Sequence, residues 1–493
     1  MAVTNQLQAA GDYVLDGCLI VGSSGRRVNI IDQVGELNIY QSLDSPFMSG
    51  NIMLVDSSGI TETLPLLGQE RLLFSLNTPG HPTSINFNDY HAIIYNVEKR
   101  FQQTDREQVL ILNWTTLEHY KNLRTKISKS FKGNISDIVA TILSNEDYLG
   151  SKKPLHIEKT KNVRKYVIPN LNPFQTINLL KEEALSSLEE APHYLFYENP
   201  EGIHFRSLDS LIGQKGTLNV PHKQTYKSQP QDEPRQIEES LTTILSWEVD
   251  DNSNNFLNVK LGMLSSTLYY HDIFNKNIQK FEYDYSNTFG KRNKTNQENK
   301  AVGTLIPQAK IDDKIISEYT NSKIFVHPTA SDNLHTEGTD NNAEEWLQES
   351  ASRKLQRDYF TLKLETYGDT DIMCGDMVNV QIPSNKPLPT AGSTAEVMDP
   401  LLSGRYMVTS IRHQVTPEKG IHAMTMTVMK DSLTTTTPVV EVKYKEPPKG
   451  AVKVSETVES KKLEQKTKKP EQPNKPPTLL EKASAPTGWM DGR

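Results

Sequence analysis

The stretch from Leu402 to Lys430, LSGRYMVTSIRHQVTPEKGIHAMTMTVMK, constrains the fold more than any other. Met407, Ile411 and Val415 fall at even spacing on one arm, and Met424, Met426 and Val428 do so on the other. Even spacing is the period of a pleated strand, whose successive side chains point to opposite faces. Between the arms, Pro417-Glu418-Lys419-Gly420 supplies a proline that pre-sets φ and a glycine able to take φ > 0, so the segment reads as a β-hairpin. With those four residues as the loop, Thr416 faces Ile421 and Val415 faces His422, which brings His413 diagonally close to His422 on one face. A one-residue slip would part them. Two imidazoles without a third ligand make a poor zinc site, since zinc is normally held by three or four protein ligands, so the pair is expected to be structural.

A chain of 493 residues exceeds what one hydrophobic core usually serves, and a prior of roughly 150 residues per domain gives about three domains. Hydrophobic residues make up 36% and the mean hydropathy is −0.56, so much of the chain should be surface, interface or tail. Net charge is −7, from 54 Lys and Arg against 61 Asp and Glu, which provides no global basic field for phosphate binding. The two cysteines, Cys18 and Cys374, lie far apart in sequence, as expected for assembly in a reducing compartment rather than for a disulfide scaffold. MAVTNQLQAAGDYVLDG lacks a basic n-region and an apolar h-region, and no run of about eighteen apolar residues occurs. A soluble, unsecreted chain without a membrane segment is expected.

Residues 1–115 read as a first antiparallel β domain. ELNIYQSL sets Leu37, Ile39 and Leu43 on one face; GNIMLV, ERLLFSL, HAIIYNVEKRF and QVLILNWTT follow, with one short helical piece near ITETLPLLG. Residues 116–235 read as α+β. Asn134 is placed to cap a helix bearing Ile135, Ile138, Val139 and Ile142. Asn172, Pro173 and Gln175 open a second, with Ile177, Leu180, Ala184 and Leu188 as its buried stripe and Pro192 as its stop. HYLFYENPEGIHFRSLDSL is a hairpin over Asn199-Pro200-Glu201-Gly202. A second β domain spans 236–433: LTTILSWEVDD and NFLNVKLGML read as strands, a polar, tyrosine-rich insertion occupies about 265–342, and a helix follows with Asn342 and Glu345 at capping-box spacing and Trp346, Ala351 and Leu355 as packing residues. Residues 434–493 are rich in Lys, Pro and Glu and cannot bury enough apolar surface to fold alone. That tail ends in LLEKASAPTGWMDGR, whose Leu479, Leu480, Trp489 and Met490 are either a partner-docking segment or a frayed terminus.

Chemical motifs are missing. The chain has no G-x-G-x-x-G, Walker loop, H-E-x-x-H or C-x-x-C. GSSG at Gly22 to Gly25 reads as a turn, not a nucleophile elbow. DDNSNNFLN from Asp250 has Asn255 where a calcium loop needs glycine and Leu261 where it needs glutamate. GDTDIMCGD, with Asp369, Asp371 and Asp376, has the composition of a turn. No catalytic, cofactor-binding or metal-binding residue is assigned, and the chain is not expected to be an enzyme.

Taken in order, SPFMSGNIMLVDSSGITETLPLLGQERLLF, NPFQTINLLKEEA with HYLFYENPEGIHFRSLDSL, and CGDMVNVQIP with the hairpin from Leu402 resemble the baseplate hub proteins of contractile-tailed, T-even-like bacteriophages. The resemblance spans Asp12 to Ser432; the insertion and the tail depart from it. It implies a mainly β, α+β fold with two tube-like β-barrels flanking the small α+β domain, and a homotrimer whose barrels form a pseudo-sixfold ring. Such a ring would join the tail tube protein to a central spike or spike-lysozyme protein, contact other baseplate proteins, and let DNA pass only in transit. The location implied is the virion tail baseplate, assembled in the bacterial host cytoplasm, with no cofactor. Two other readings stand beside it: a tail-associated peptidoglycan hydrolase, against which the missing motifs count, and a receptor- or glycan-binding tail module, which would use the tyrosine-rich insertion.

Overall fold

The computed structural model describes residues 6–435 apart from 61–63, 65, 105–106, 214–222, 229–236, 252–253, 273–275, 297–301, 307–309, 312–313, 329–341 and 385–397. Eight strands come first: β1 (Val14–Val21), β2 (Arg27–Asn29), β3 (Val34–Ser42), β4 (Ser49–Asp56), β5 (Arg71–Asn77), β6 (Ser84–Asn86), β7 (Ala92–Thr104) and β8 (Glu107–Thr116). In β4 and β5 alternate residues are buried, as a half-buried strand requires. Ile20, Leu37, Ile39, Ile52, Leu72 and Leu112 share one core, with Trp114 set edge-on to Phe74 and Phe87. Gly50 lets the backbone pass beneath that indole: a Cβ there would lie 2.1 Å from the Asn38 carbonyl oxygen and 2.4 Å from the Trp114 ring. Of the short helical piece expected near ITETLPLLG, residues 61–63 and 65 lie outside the described residues.

The middle region contains β9 (Ile127–Asn134), β10 (Leu155–Ile157), β11 (Val163–Leu171), β12 (Tyr194–Asn199) and β13 (Gly202–Ser207), with helices Leu117–Arg124, Ile135–Ser144, Pro173–Glu182 and Leu208–Ile212. Ile135, Ile138, Val139 and Ile142 are buried as their spacing predicts, although Asn134 makes no side-chain cap bond. Pro173 starts its helix, and the Gln175 side chain accepts the Asn172 N–H at 3.1 Å. That helix ends at Glu182 rather than running to Pro192, and Leu188 is 66% exposed instead of buried. A competing interaction ends it early. Ser186 bridges Thr160, the Leu185 carbonyl accepts from the Lys161 N–H at 2.8 Å, and the Ser186 hydroxyl donates to Glu158 at 2.5 Å. Backbone groups that would extend the helix are thereby committed to the segment between β10 and β11.

The remaining strands are β14 (Gln224–Lys227), β15 (Ile244–Asp251), β16 (Ser265–Asp272), β17 (Asn277–Asp284), the two-residue β18 (Gly303–Thr304), β19 (Lys310–Ile311) and β20 (Lys314–Ile315), then β21 (Ile324–Pro328), β22 (Phe360–Tyr367), β23 (Met377–Gln381), β24 (Gly404–Thr416), β25 (Ile421–Met429) and β26 (Ser432–Leu433). NFLNVKLGML is not a strand: Asn255–Leu261 is a helix. Leu257, Val259, Leu261 and Met263 alternate and mimic a strand, but the caps decide. The Asn254 side chain accepts the Leu257 N–H at 3.1 Å, and Gly262 takes the left-handed conformation at φ 87. Within the insertion, β16 pairs antiparallel with β17 and parallel with β21, and this sheet packs Leu268 and Tyr270 against Ala343 and Trp346 of helix Ala343–Arg357. The expected capping box of that helix does not form, because Asn342 lies in the left-handed region at φ 46 and its side chain makes no cap bond.

One hydrogen-bonded path runs β15-β22-β25-β24-β3-β4-β8-β7-β5-β1-β2. Its centre is an antiparallel seam between strands from opposite ends of the sequence, where residues 37–42 of β3 pair with 410–415 of β24. The path serves two separate cores, one around Trp114 and one containing Leu362, Leu364, Val378, Tyr406, Met426 and Val428. The mainly β fold with an α+β middle is thus present, with its two β regions merged edge to edge.

Candidate functional site

The β24–β25 hairpin lies at this seam. Val415 faces His422 and Thr416 faces Ile421, with Gly420 at φ 64 closing the loop. His413 Nδ1 lies 3.1 Å from His422 Nε2, and Gln41 of β3 approaches His413 Nε2 at 3.3 Å. Both rings are fully buried, and burial pushes His413 down to about 4. Burial, then the neighbouring His413, holds His422 well below the usual imidazole range. A side chain at residue 368 would strike the His422 ring at 2.1 Å, so Gly368 is part of this packing. The chain Gln41–His413–His422 therefore ties β3 to the hairpin across the seam.

Two buried charge clusters fix the middle region to its neighbours. Lys153 Nζ donates to Glu198 at 2.5 Å and lies 2.8 Å from Glu118, while Thr116 Oγ1 donates to Glu198 at 3.1 Å. Arg353 joins Asp209 of the helix after β13 to Asp431, which follows β25. Arg357, on helix Ala343–Arg357 with Arg353, pairs with Asp44 at 2.8 Å, and Arg292 pairs with Glu349 and donates to the Glu189 carbonyl at 2.9 Å. Sequence reasoning missed these contacts. Helix Ala343–Arg357 buries Gln348, Ser350, Ser352, Arg353, Gln356 and Arg357, residue types that normally mark the solvent face, and among the expected packing residues Ala351 and Leu355 are only half-buried.

The other residues singled out in sequence do not converge. Asp369 pairs with His81 at 3.0 Å, Asp371 accepts from the Thr83 hydroxyl at 2.7 Å, and Asp376 pairs with Lys223 at 2.9 Å. Cys18 and Cys374 are free and buried. Gly22 and Gly25 close a turn through an N–H to carbonyl bond of 2.9 Å. Leu479, Leu480, Trp489 and Met490 lie outside the described residues. A cleft of about 600 Å³ is lined by His156, Glu158, Leu188, Arg206 and Ser210, but Glu158 is occupied by the Ser207 N–H at 2.7 Å and by two serine hydroxyls. Among the described residues, His156, Glu201 and His204 form the one group of three metal-type side chains whose ligand atoms approach within 4.8 Å.

Among the described residues, the surface offers strand edges and exposed aromatics. Strand β15, at one end of the path, pairs only with β22 among the described strands and exposes Leu245 and Trp247; Phe256 on the helix beyond is 94% exposed. The β7–β8 hairpin extends past the core, exposing Tyr95 and Phe101. Unpaired edges and exposed aromatics are surfaces for strand pairing and association. No described helix is long and apolar enough to cross a membrane.

The architecture resembles that of a solved tail protein. A tail protein from Neisseria meningitidis MC58 superposes with a TM-score of 0.50 at 12% identity, covering 85% of this chain and 97% of that one. The 43 kDa tail protein of prophage MuSo2 from Shewanella oneidensis gives a TM-score of 0.47 at 8% identity over 85% of this chain and 98% of that one. In sequence, the chain is 23% identical over 415 residues to the probable baseplate hub protein gp334 of Vibrio phage KVP40, spanning 80% of this chain and 89% of that protein. No protein-family profile matches it. The similarity to that baseplate hub protein thus extends over most of the chain.

Proposed function

We propose that this protein is a non-enzymatic adaptor that assembles as a homotrimer, its paired β regions forming a pseudo-sixfold ring between a tail tube and a central spike. The observation that carries this reading is the β3–β24 seam, which presents two β cores as one unit with open strand edges. Six such β regions in a trimer match a sixfold tube on one side and a threefold spike on the other. DNA would pass through the ring in transit, and a net charge of −7 is compatible with a lumen that avoids counterion-release binding. The carboxylates of the described clusters are committed to Lys153, Arg353, His81 and serine donors, which favours the structural reading over the hydrolase. Light scattering on the full chain, alone and with candidate spike proteins, tests it. Three subunits in at least one setting are expected; a monomer in every setting overturns the ring. A peptidoglycan zymogram clearing around the purified chain overturns the non-enzymatic reading.

A further inference from the structure

Strands β10 and β13 run parallel, and their register sets His156 beside His204. From the other side, Tyr197 of β12 opposes the same residue. The three rings stack, with centroids 4.5 Å apart for His156 and His204 and 4.8 Å for Tyr197 and His204. The turn Pro200-Glu201 joins β12 to β13, and the Asn199 side chain holds it by accepting the Glu201 N–H at 3.0 Å. His156 Nε2 lies 3.4 Å from the Glu201 carbonyl oxygen, so the turn and the short strand β10 meet at one point.

The nitrogens of His204, a residue only 3% exposed, are not equivalent. Asn199 Oδ1 lies 2.8 Å from Nε2, and as an acceptor it assigns the proton to that nitrogen. Nδ1 then carries a buried lone pair with no hydrogen-bond partner. A polar atom left so is costly, and a histidine whose second nitrogen donates to a nearby oxygen is the usual arrangement of a metal ligand. The buried His413–His422 pair also leaves one nitrogen, His422 Nδ1, without a hydrogen-bond partner, but among the described residues it has no third metal-type side chain close by.

We propose that His156, Glu201 and His204 bind a divalent cation of the zinc type. Two imidazoles and one carboxylate suit zinc and its borderline neighbours, whereas calcium and magnesium prefer all-oxygen sets. Bonds of about 2.0 to 2.2 Å place tetrahedral donors about 3.4 Å apart, so the present group, whose ligand atoms lie within 4.8 Å of one another, must close by up to about 1.4 Å. His156 and Glu201 are exposed, which leaves both free to make that movement. His156 must also turn out of the stack, since two parallel rings cannot direct in-plane lone pairs at one ion. The bound ion would pin β10, only three residues long, to the β12–β13 hairpin, and its solvent side leaves a fourth position for water.

The test is equilibrium dialysis of chelator-stripped full-length protein against Zn²⁺, with Mg²⁺ and Ca²⁺ in parallel and metal content read by mass spectrometry. One equivalent of zinc is expected, with neither magnesium nor calcium retained. His156→Ala and Glu201→Gln change exposed side chains, so their folding is checked by circular dichroism, and each should weaken zinc binding at least tenfold. The absence of stoichiometric zinc overturns the site. Undiminished zinc in the folded double variant H156A/E201Q overturns it equally, because the ion would then be held elsewhere among the 12 histidines.

Discussion

Arg353 lies 3.2 Å from Asp209 and 3.5 Å from Asp431, and all three side chains are at most 4% exposed. Asp209 also accepts the Asn293 N–H, and Asp431 accepts the Thr295 N–H, each at 2.9 Å. One guanidinium therefore holds the middle region, the segment before β18 and the end of the β24–β25 hairpin. Removing it leaves two buried carboxylates sharing no cation. Arg353→Met is expected to cost about 3 to 5 kcal/mol, read as a lowered urea midpoint. Adding Asp209→Asn should recover part of the loss; a single variant within about 1 kcal/mol of the parent would show the cluster to be energetically idle.

Lys153 faces two carboxylates whose environments separate them. Burial pushes Glu118 up, but the Lys153 charge and hydrogen bonds outweigh it and hold that carboxyl below its usual range. Burial dominates for Glu198, and with the Glu118 charge it holds that carboxyl above its usual range despite Lys153. A depressed carboxyl contributes stability above its unfolded pKa and loses it as pH falls through the folded value; a raised one favours the folded state at acid pH and ceases to do so as pH rises through its folded value. At pH 7, Glu118→Gln should therefore cost about 1.5 to 3 kcal/mol, and Glu198→Gln less than about 1 kcal/mol. Denaturation curves for the two variants settle the order, and a larger loss for Glu198→Gln contradicts it.

Acid should loosen the seam through its histidine pair. His413 is held down to about 4 and His422 also well below 6.5, so between pH 6.5 and 4 the unfolded chain binds protons that the folded one does not. Stability should be fully present above pH 6.5 and fall by about 1.4 kcal/mol per pH unit for each histidine as the pH drops toward 4. Glutamine at 413 keeps a polar side chain near Gln41 and His422 yet cannot take up a proton. His413→Gln should make the stability profile between pH 4 and 6.5 shallower by one such increment, while light scattering at pH 7.5 shows the same assembly as the parent. An unchanged slope would place the acid sensitivity elsewhere.

The β24–β25 register was legible because a two-residue period and a Pro-to-Gly loop specify it locally, down to the contact between His413 and His422. The start of helix Pro173–Glu182 was legible for the same reason, in Asn172, Pro173 and Gln175. Its end was not, since an isolated bridge to Thr160 competes for Ser186 and no local signal announces that distant segment. Alternation at Leu257, Val259, Leu261 and Met263 suggested a strand where Asn254 and Gly262 cap a helix. Pairing of β3 with β24 joins residues more than 360 positions apart; alternation shows that each strand needs a neighbour but not which one. His156 and His204 likewise carry no spacing motif, because a parallel strand pair brings them together.

The tail from Lys443 to Arg493 supplies the last expectation. If flexible, about fifty residues would have a root-mean-square reach of about 40 Å, more where prolines stiffen them, enough in the proposed trimer to cross a neighbouring subunit or follow a spike. Tethering holds TGWMDGR at an effective concentration near millimolar, so even a weak pocket for Trp489 would be occupied. Burying one tryptophan side chain contributes roughly 2 to 3 kcal/mol before ordering costs, so the docked segment should be short. Leu479, Leu480 and Met490 are the apolar residues near it. A pull-down against purified baseplate proteins should compare the full chain, a truncation after Tyr444 and Trp489→Ala. Loss of a partner in both altered forms identifies a latch, whereas equal retention of every partner by all three reduces the tail to an appendage.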